Sequence, residues 1–311
     1  MGAWTDAHPE GVCLNIILCL DISESMGYGE PVKIEQAKNV VAKILESAPS
    51  DSSFTLVTFD SEAEVRIKEG AMNSLKEELS RIRVRGLSCL SAGLKKALEE
   101  ADDHSILAVI SDGRANLSLN KMGGFEGSLS LEEELLNIAQ KIGYEGKFYA
   151  IAVGEDSFTY TLQRLAEVFR GFFYLAEDFE GLYAPPTVYQ NVRVAKDLTV
   201  YPAPLELPTA QPTWSKESQV LHVTVSSRKL YEEYVKYGRV FLVNPSNGRE
   251  ARTALLPLDT DVLEPYRRRR PKAAGRVELD KAVLMDSSYR SFLDIGRGEK
   301  INVRIVKPMV K

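Results

Sequence analysis

Three oxygen-bearing side chains follow the first long apolar run of the chain at alternating positions. Asp21, Ser23 and Ser25 come directly after residues 12–20, which predict a buried strand. One carboxylate and two hydroxyls are hard oxygen ligands, the type that Mg²⁺, Mn²⁺ and Ca²⁺ bind in proteins. These three oxygens cannot close the coordination shell of a divalent cation by themselves. The pattern therefore predicts part of a metal site, and the alternative is a strand end followed by a serine-capped helix.

A second carboxylate stands at the end of another buried strand, since Asp112 follows the apolar residues 106–110. Ligands of an open parallel sheet bind beyond the carboxyl ends of its strands, so Asp21 and Asp112 converge if the two strands are neighbours. A glycine-led loop on the same side offers the hydroxyl of Ser88, or alternatively that of Ser91. The predicted metal ligands are Asp21, Ser23, Ser25, Ser88 and Asp112.

Apolar runs alternate with amphipathic helical patterns up to about residue 187. Strands are predicted at residues 12–20, 54–59, 63–67, 106–110, 148–153 and 171–175. Helices are predicted at residues 32–48, 74–83, 91–102, 130–142 and 159–169, with capping boxes opening at Ser74 and Ser130. This alternation is typical of a mostly parallel sheet covered on both faces. The predicted fold class is α/β, doubly wound, with helices on both faces of the sheet.

The pattern changes to period-two alternation after a pair of prolines at 185–186. Asn247-Gly248 predicts a hairpin turn between strands at 239–243 and 249–256. Such alternation is typical of strands that bury one face. The predicted domains are an α/β domain of residues 1–187 and a smaller β-rich domain of residues 188–311.

Composition is that of a soluble globular protein, with 311 residues, 44% hydrophobic and 27% charged. No apolar run reaches the length of a membrane span, and residues 1–11 lack the regions of a signal peptide, so we expect a cytoplasmic protein without membrane contact. Residues 1–187 carry a formal charge of −13 and residues 188–311 one of +8. The two parts therefore have different electrostatic tasks, or their charges attract each other.

The sharpest charge run is the four arginines at 267–270, followed by Pro271 and Lys272. Such a run can contact nucleic acid phosphates or an acidic partner, including the acidic first domain. More often it is a solvated loop, and no RNA-binding signature accompanies it here. Nucleic acid is therefore not an expected partner.

The order of the candidate ligands resembles the metal-ion-dependent adhesion site of the von Willebrand factor type A family. That site has the form D-x-S-x-S, then a Thr in a glycine-led loop, then an Asp that commonly precedes Gly. Residues 21–25 match the first part and Asp112-Gly113 the third, while Ser88 stands where the family usually has Thr. The resemblance covers about residues 12–187. Within the family, residues 110–116 look most like intracellular members, including the D-subunit of magnesium chelatases.

The resemblance implies a Mg²⁺-dependent protein-interaction module that is not an enzyme. Hydroxyls of Ser23, Ser25 and Ser88 would bind the ion directly, and Asp21 and Asp112 directly or through water. Mn²⁺ and Ca²⁺ are alternative ions. An Asp or Glu of a partner protein would fill the remaining position. A narrower alternative is a non-catalytic subunit of an ATPase-driven chelatase or remodelling complex.

A metal-dependent phosphohydrolase is the enzymatic alternative, because Asp21 at a strand end resembles the nucleophile of haloacid dehalogenase-type phosphatases. Those enzymes carry a second Asp two residues later as general acid, and Ser23 occupies that position here. The sequence also lacks a glycine-rich phosphate loop followed by Lys. We therefore expect no phosphatase or ATPase turnover.

Overall fold

A computed structural model of the chain describes residues 14–120, 128–202, 223–257, 268 and 277–309. The start of the first predicted strand lies outside these residues, and so does the arginine run apart from Arg268. The described elements form two sheets. Within the described part of the chain, no helix is both long and apolar enough to span a membrane.

The first sheet has six strands in the order β3-β2-β1-β4-β5-β6. Every neighbouring pair is parallel except β2 and β3, which are antiparallel. The strands are β1 (Asn15–Asp21), β2 (Ser53–Phe59), β3 (Ala63–Gly70), β4 (Ile106–Ser111), β5 (Lys147–Ala152) and β6 (Phe172–Leu175). The predicted doubly wound α/β fold is confirmed.

Five helices connect these strands and cover both faces of the sheet: α1 (Lys33–Ser47), α2 (Met72–Arg81), α3 (Leu90–Glu99), α4 (Ser128–Ile142) and α5 (Thr159–Val168). Alternate residues of β1 enter different cores because side chains of a strand point to opposite faces. Ile16, Leu18 and Leu20 pack with α1 and α2. Ile17 and Cys19 pack with α3, α4 and α5. The central strand is buried on both faces, which explains its continuous apolar run.

The predicted capping box at Ser74 is wrong, because α2 begins at Met72 after Ala71. Ala71 is extended, with φ −74° and ψ 158°, so the chain enters the helix directly after β3. This start buries Leu75 and Leu79. The prediction at Ser130 is wrong for the same kind of reason, since α4 already begins at Ser128. Packing of the apolar helix face thus decides the start over a local capping signal.

The second sheet has seven strands in the order β10-β9-β13-β7-β12-β8-β11. Its strands are β7 (Tyr189–Pro202), β8 (Val223–Ser226), β9 (Arg239–Val243), β10 (Glu250–Arg252), β11 (Ala254–Pro257), β12 (Ala282–Met285) and β13 (Lys300–Pro308). Helices α6 (Arg228–Tyr237) and α7 (Ser287–Leu293) belong to the same part. The change of sheet falls between Leu175 and Tyr189.

The predicted hairpin at Asn247-Gly248 joins β9 to β10, which pair antiparallel, and Gly248 has φ +74°. The prediction that its second strand continues to residue 256 is wrong. The backbone N–H of Arg252 donates to the carbonyl of Ser157 in the first part of the chain. The residues that follow leave β9 and pair parallel with β8.

Opposite charges meet where the two parts of the chain pack together. Arg249 of the β-rich part lies 2.7 Å from Glu132 of α4, and both side chains are nearly buried. Arg252 lies 2.7 Å from Glu177, which follows β6. The negative charge of the first part and the positive charge of the second are therefore paired at this contact.

Candidate metal centre

The candidate site lies at the point where the strand order reverses. β1 pairs parallel with both β2 and β4, and Leu20 is opposite Ile110. Asp21 ends β1 and Asp112 follows β4, so the two carboxylates leave neighbouring strands at the same edge. The condition for their convergence is confirmed. In open α/β sheets, such a switch point is where ligands bind.

Asp21 is the centre of a cluster of hydroxyl groups. Its Oδ1 accepts the backbone N–H of Ser23 at 2.9 Å, and its Oδ2 lies 3.4 Å from the Ser88 hydroxyl. The hydroxyl oxygens of Ser23 and Ser25 are 3.1 Å apart. The structure therefore brings together four of the five predicted residues through direct contacts. The negative charge of Asp112 acts on Asp21 from the neighbouring strand end.

Ser88 is fixed by the loop that follows β4. Its backbone N–H donates to the side-chain oxygen of Asn116 at 2.7 Å, and its carbonyl accepts the Asn116 backbone N–H at 2.8 Å. The alternative residue, Ser91, lies inside α3 and lines a cavity of about 20 Å³ with Gly113 and Glu132. Ser88 is thus the hydroxyl in contact with Asp21.

Ser111 belongs to the site although the sequence analysis did not single it out. Its hydroxyl donates to Oδ2 of Asp21 at 2.7 Å. Its oxygen also accepts the backbone N–H of Gly113 at 2.9 Å. Ser111 directly precedes Asp112 at the end of β4. This position next to a predicted ligand is the sequence feature from which its role could have been predicted.

Asp112 is held by two cationic side chains that sequence reasoning also missed. Its Oδ2 lies 2.9 Å from the Lys33 ammonium and 3.7 Å from Nε of Arg114, and its Oδ1 accepts the backbone N–H of Arg114 at 3.1 Å. Lys33 also lies 2.7 Å from Asp156, and the Arg114 guanidinium lies 3.2 Å from the same carboxylate. All four side chains are at most 6% exposed. A lysine at the start of an amphipathic helix is usually solvated, so its burial leaves no local signal.

Two glycines leave the space that the side chains around Asp112 occupy. Gly113 has φ +74°, and a Cβ there would lie 2.4 Å from the carbonyl oxygen of Phe158. Gly154 has φ +90°, and a Cβ there would lie 2.7 Å from Cε of Lys33. Only glycine avoids both the backbone strain and the clash. The glycine after Asp112 and the one after β5 are therefore parts of the site.

Burial, the main cause, and the negative charge of Asp112, the second cause, together raise the pKa of Asp21 from 3.8 to about 7. Hydrogen bonds from Ser23 and Ser111 act in the opposite direction. Burial, together with Asp21, also raises the pKa of the Cys19 thiol, which makes this cysteine a packed residue rather than a reactive one. The ionised form of Asp21 therefore needs a positive charge close by.

The donor set fits a hard divalent cation. Its atoms are carboxylate and hydroxyl oxygens, which suit Mg²⁺ better than ions that prefer nitrogen or sulfur. Among the described residues, no three His, Cys, Asp or Glu side chains are grouped for a metal ion. Serine hydroxyls therefore make up three of the five predicted donors of this candidate site.

Residues 16–114 match the family model of the von Willebrand factor type A domain. This range runs from β1 to the residues just after β4 and includes every predicted metal ligand. Over this range the chain has the sequence pattern of a von Willebrand factor type A domain. No curated protein matches the chain significantly.

Several solved structures are similar to parts of this chain. A von Willebrand factor type A protein from Catenulispora acidiphila is 16% identical over 96% of this chain and 58% of its own, with a TM-score of 0.43. An aerotolerance-related membrane protein from Bacteroides fragilis is 15% identical over 51% of this chain and 90% of its own, with a TM-score of 0.39. The manganese-loaded TRAP protein of Plasmodium vivax is 15% identical over 54% of this chain and 70% of its own, also with a TM-score of 0.39.

Proposed function

We propose that this chain is a Mg²⁺-dependent protein-interaction module. The ion is held at the carboxyl edge of the first sheet by Asp21, Ser23, Ser25, Ser88 and Asp112. An Asp or Glu of a partner protein completes its coordination. Von Willebrand factor type A domains commonly mediate metal-dependent protein interactions, and this domain carries the residues for one.

One observation supports this proposal above the others: the contact of Ser88 with Asp21 at the switch point of the sheet. Oδ2 of Asp21 lies 3.4 Å from the Ser88 hydroxyl, although the two residues are 67 positions apart. A carboxylate and several hydroxyls at one buried point do not stabilise a sheet core, because burying polar groups costs free energy. A cation that shares these oxygens offsets that cost.

Four further residues keep the proposed ligands in place. Ser111 orients Asp21, Asn116 holds the loop of Ser88, and Lys33 with Arg114 fixes Asp112. When bound, the ion supplies the positive charge that attracts the partner's carboxylate. Because Mg²⁺ keeps some water ligands, one position exchanges easily.

The proposal includes no catalysis. The cations closest to Asp112, Lys33 and Arg114, are buried and already paired with carboxylates, which suits them for holding rather than for proton transfer. We also propose that the protein acts in the cytoplasm. Mn²⁺ and Ca²⁺ are alternative ions. An ATPase as the partner, as in a chelatase-like complex, remains a prediction from the sequence.

Calorimetric titration of Mg²⁺ into the wild type and into Asp21→Ala tests the metal site. We expect saturable binding by the wild type and its loss in the variant. Asp103→Ala is the matched control, because Asp103 is exposed and precedes β4 at the opposite edge of the sheet. Equal Mg²⁺ affinity in the wild type and Asp21→Ala would contradict the proposal.

The interaction is tested by capture of partners from a lysate of the native host, with either Mg²⁺ or a chelator present. We expect a partner that is retained with Mg²⁺ by the wild type and lost with the chelator or in Asp21→Ala. Recovery of an ATPase supports the chelatase-like alternative, and recovery of other partners alone weakens it. Retention of the same partners with Mg²⁺ and with the chelator would contradict the proposed function.

A further inference from the structure

Three buried charged groups lie around the carboxylate of Asp112 and form a cluster with it. Lys33 pairs with Asp112 and Asp156 at 2.9 and 2.7 Å, and Arg114 contacts the same two carboxylates at 3.7 and 3.2 Å. We define the charge cluster as Lys33, Asp112, Arg114 and Asp156. Two cations and two anions balance within it.

The cations of the charge cluster are fixed in place. The Arg114 guanidinium lies 4.1 Å from the ring centre of Phe158 and 5.6 Å from that of Tyr289. Lys33 passes so close to Gly154 that any Cβ at that position would clash with it. Both cations are buried and paired with carboxylates, so both place a positive charge beside the site.

The charge cluster and Asp21 together carry one net negative charge when all five groups are ionised. A divalent ion changes this sum to one positive charge, and a single carboxylate of a partner brings it to zero. Charge balance matters strongly here, because these groups are buried and poorly screened by water and salt. Without Lys33 the metal alone would neutralise the site.

We propose that Lys33 is a positioning residue that sets the charge of the metal site so that the bound ion requires one partner carboxylate. This inference rests on the proposed function and deepens it. It assigns the partner group to a monoanionic carboxylate rather than to a dianion such as a phosphate monoester. Lys33 lowers the affinity for the metal alone and links metal binding to partner binding.

Charge variants test this inference with Mn²⁺ as the probe, measured by electron paramagnetic resonance of the free ion. Lys33→Met removes one positive charge and is expected to tighten Mn²⁺ binding about tenfold or more. Asp156→Asn removes one negative charge and is expected to weaken it by a similar factor. The double variant Lys33→Met/Asp156→Asn restores the charge sum and should bind Mn²⁺ with an affinity between those of the two single variants.

The opposite signs separate a charge role from a merely structural one. Damage to the fold would weaken Mn²⁺ binding in Lys33→Met and Asp156→Asn alike, and that result overturns the inference. Lys33→Arg keeps the charge and should not tighten Mn²⁺ binding as Lys33→Met does. The double variant replaces a buried ion pair with neutral side chains, a change that proteins often tolerate.

Acetate serves as a model of the partner's carboxylate in the same titrations. In the wild type, we expect acetate to tighten Mn²⁺ binding, and we expect Lys33→Met to lose most of this effect. Methyl phosphate should tighten binding less than acetate in the wild type and more than acetate in Asp156→Asn. An equal acetate effect in the wild type and Lys33→Met overturns the inference.

Failure of this inference can be told from failure of the proposed function. If Mn²⁺ binds the wild type and Asp21→Ala equally, the proposed metal site is wrong and the inference falls with it. If Asp21→Ala abolishes binding while Lys33→Met weakens it, the proposed function stands and only the role of Lys33 is overturned.

Discussion

Ser111 donates a hydrogen bond of 2.7 Å to Oδ2 of Asp21, which joins the ends of β4 and β1. The oxygen of Ser111 simultaneously accepts the backbone N–H of Gly113 at 2.9 Å. The turn after β4 therefore fixes the serine, and the serine fixes the carboxylate. Such supporting contacts orient metal ligands and commonly matter for affinity.

Replacement of Ser111 by Ala should lower the affinity for Mg²⁺ about tenfold, the lower end of the range for residues that support metal ligands. The variant leaves every proposed ligand in place but frees Asp21 to turn. Calorimetric titration gives the affinity. Ser105→Ala is the control, since this buried serine precedes the other end of β4. Loss of affinity in both variants alike would point to a general effect on the strand instead.

Ser88 and Ser91 differ in their relation to Asp21, so their variants should differ as well. Ser88→Ala removes a hydroxyl that lies 3.4 Å from the carboxylate and should reduce Mg²⁺ affinity at least about tenfold. Ser91→Ala changes a residue of α3 beside a small cavity and should leave the affinity near the wild type. The same titration measures both. The reverse order of effects would assign the ligand role to Ser91.

The convergence of the candidate ligands was predictable from sequence because each one follows a strand or a loop with a clear pattern. Asp21 and Asp112 end continuous apolar runs, and parallel strands of an α/β sheet direct such residues to one edge. The family resemblance placed Ser88 between them. The resemblance did not decide between Ser88 and Ser91. The structure shows that the Ser88 hydroxyl contacts Asp21.

The residues around the ligands were not predictable, because their partners are remote in sequence. Lys33 lies in α1, whereas Asp112 and Asp156 lie in the loops after β4 and β5, and no local period marks a buried lysine. The same holds for the second sheet. Its hairpin followed from Asn247-Gly248, whereas the parallel pairing of β11 with β8 depends on long-range packing that turn signals do not specify.

The stability of the metal-free protein should depend on pH through Asp21. Its pKa is raised from 3.8 to about 7, so the folded state keeps a proton that the unfolded chain has already lost. The contribution of Asp21 is complete below pH 3.8 and is lost as the pH rises through about 7. With a chelator present, the melting temperature should therefore fall more steeply for the wild type than for Asp21→Asn over this interval.

Added Mg²⁺ supplies the positive charge that the ionised carboxylate lacks. The gain in melting temperature on adding Mg²⁺ should therefore be larger at about pH 8 than at about pH 5.5. Asp21→Asn should show neither the fall nor the gain. Parallel melting curves of the wild type and Asp21→Asn in chelator would mean that Asp21 ionises without penalty, contrary to its burial.

The contact between Arg249 and Glu132 should stabilise the packing of the β-rich part on the first sheet. The two side chains are 2.7 Å apart and at most 10% exposed, and the guanidinium lies about 5 Å from the rings of Tyr160 and Phe292. Removing one partner of a buried pair leaves the other charge uncompensated. Glu132→Gln should therefore lower the free energy of unfolding by about 3 kcal/mol.

Urea unfolding measures this loss, and Glu99→Gln provides the matched control. Glu99 pairs with Lys96 at 3.1 Å on the exposed face of α3, where an ion pair contributes at most about 1 kcal/mol. Moderate salt should reduce the effect of Glu99→Gln and leave that of Glu132→Gln, because salt screens exposed charges far more than buried ones. If both substitutions cost equally little, the charges at this contact do not hold the two parts together.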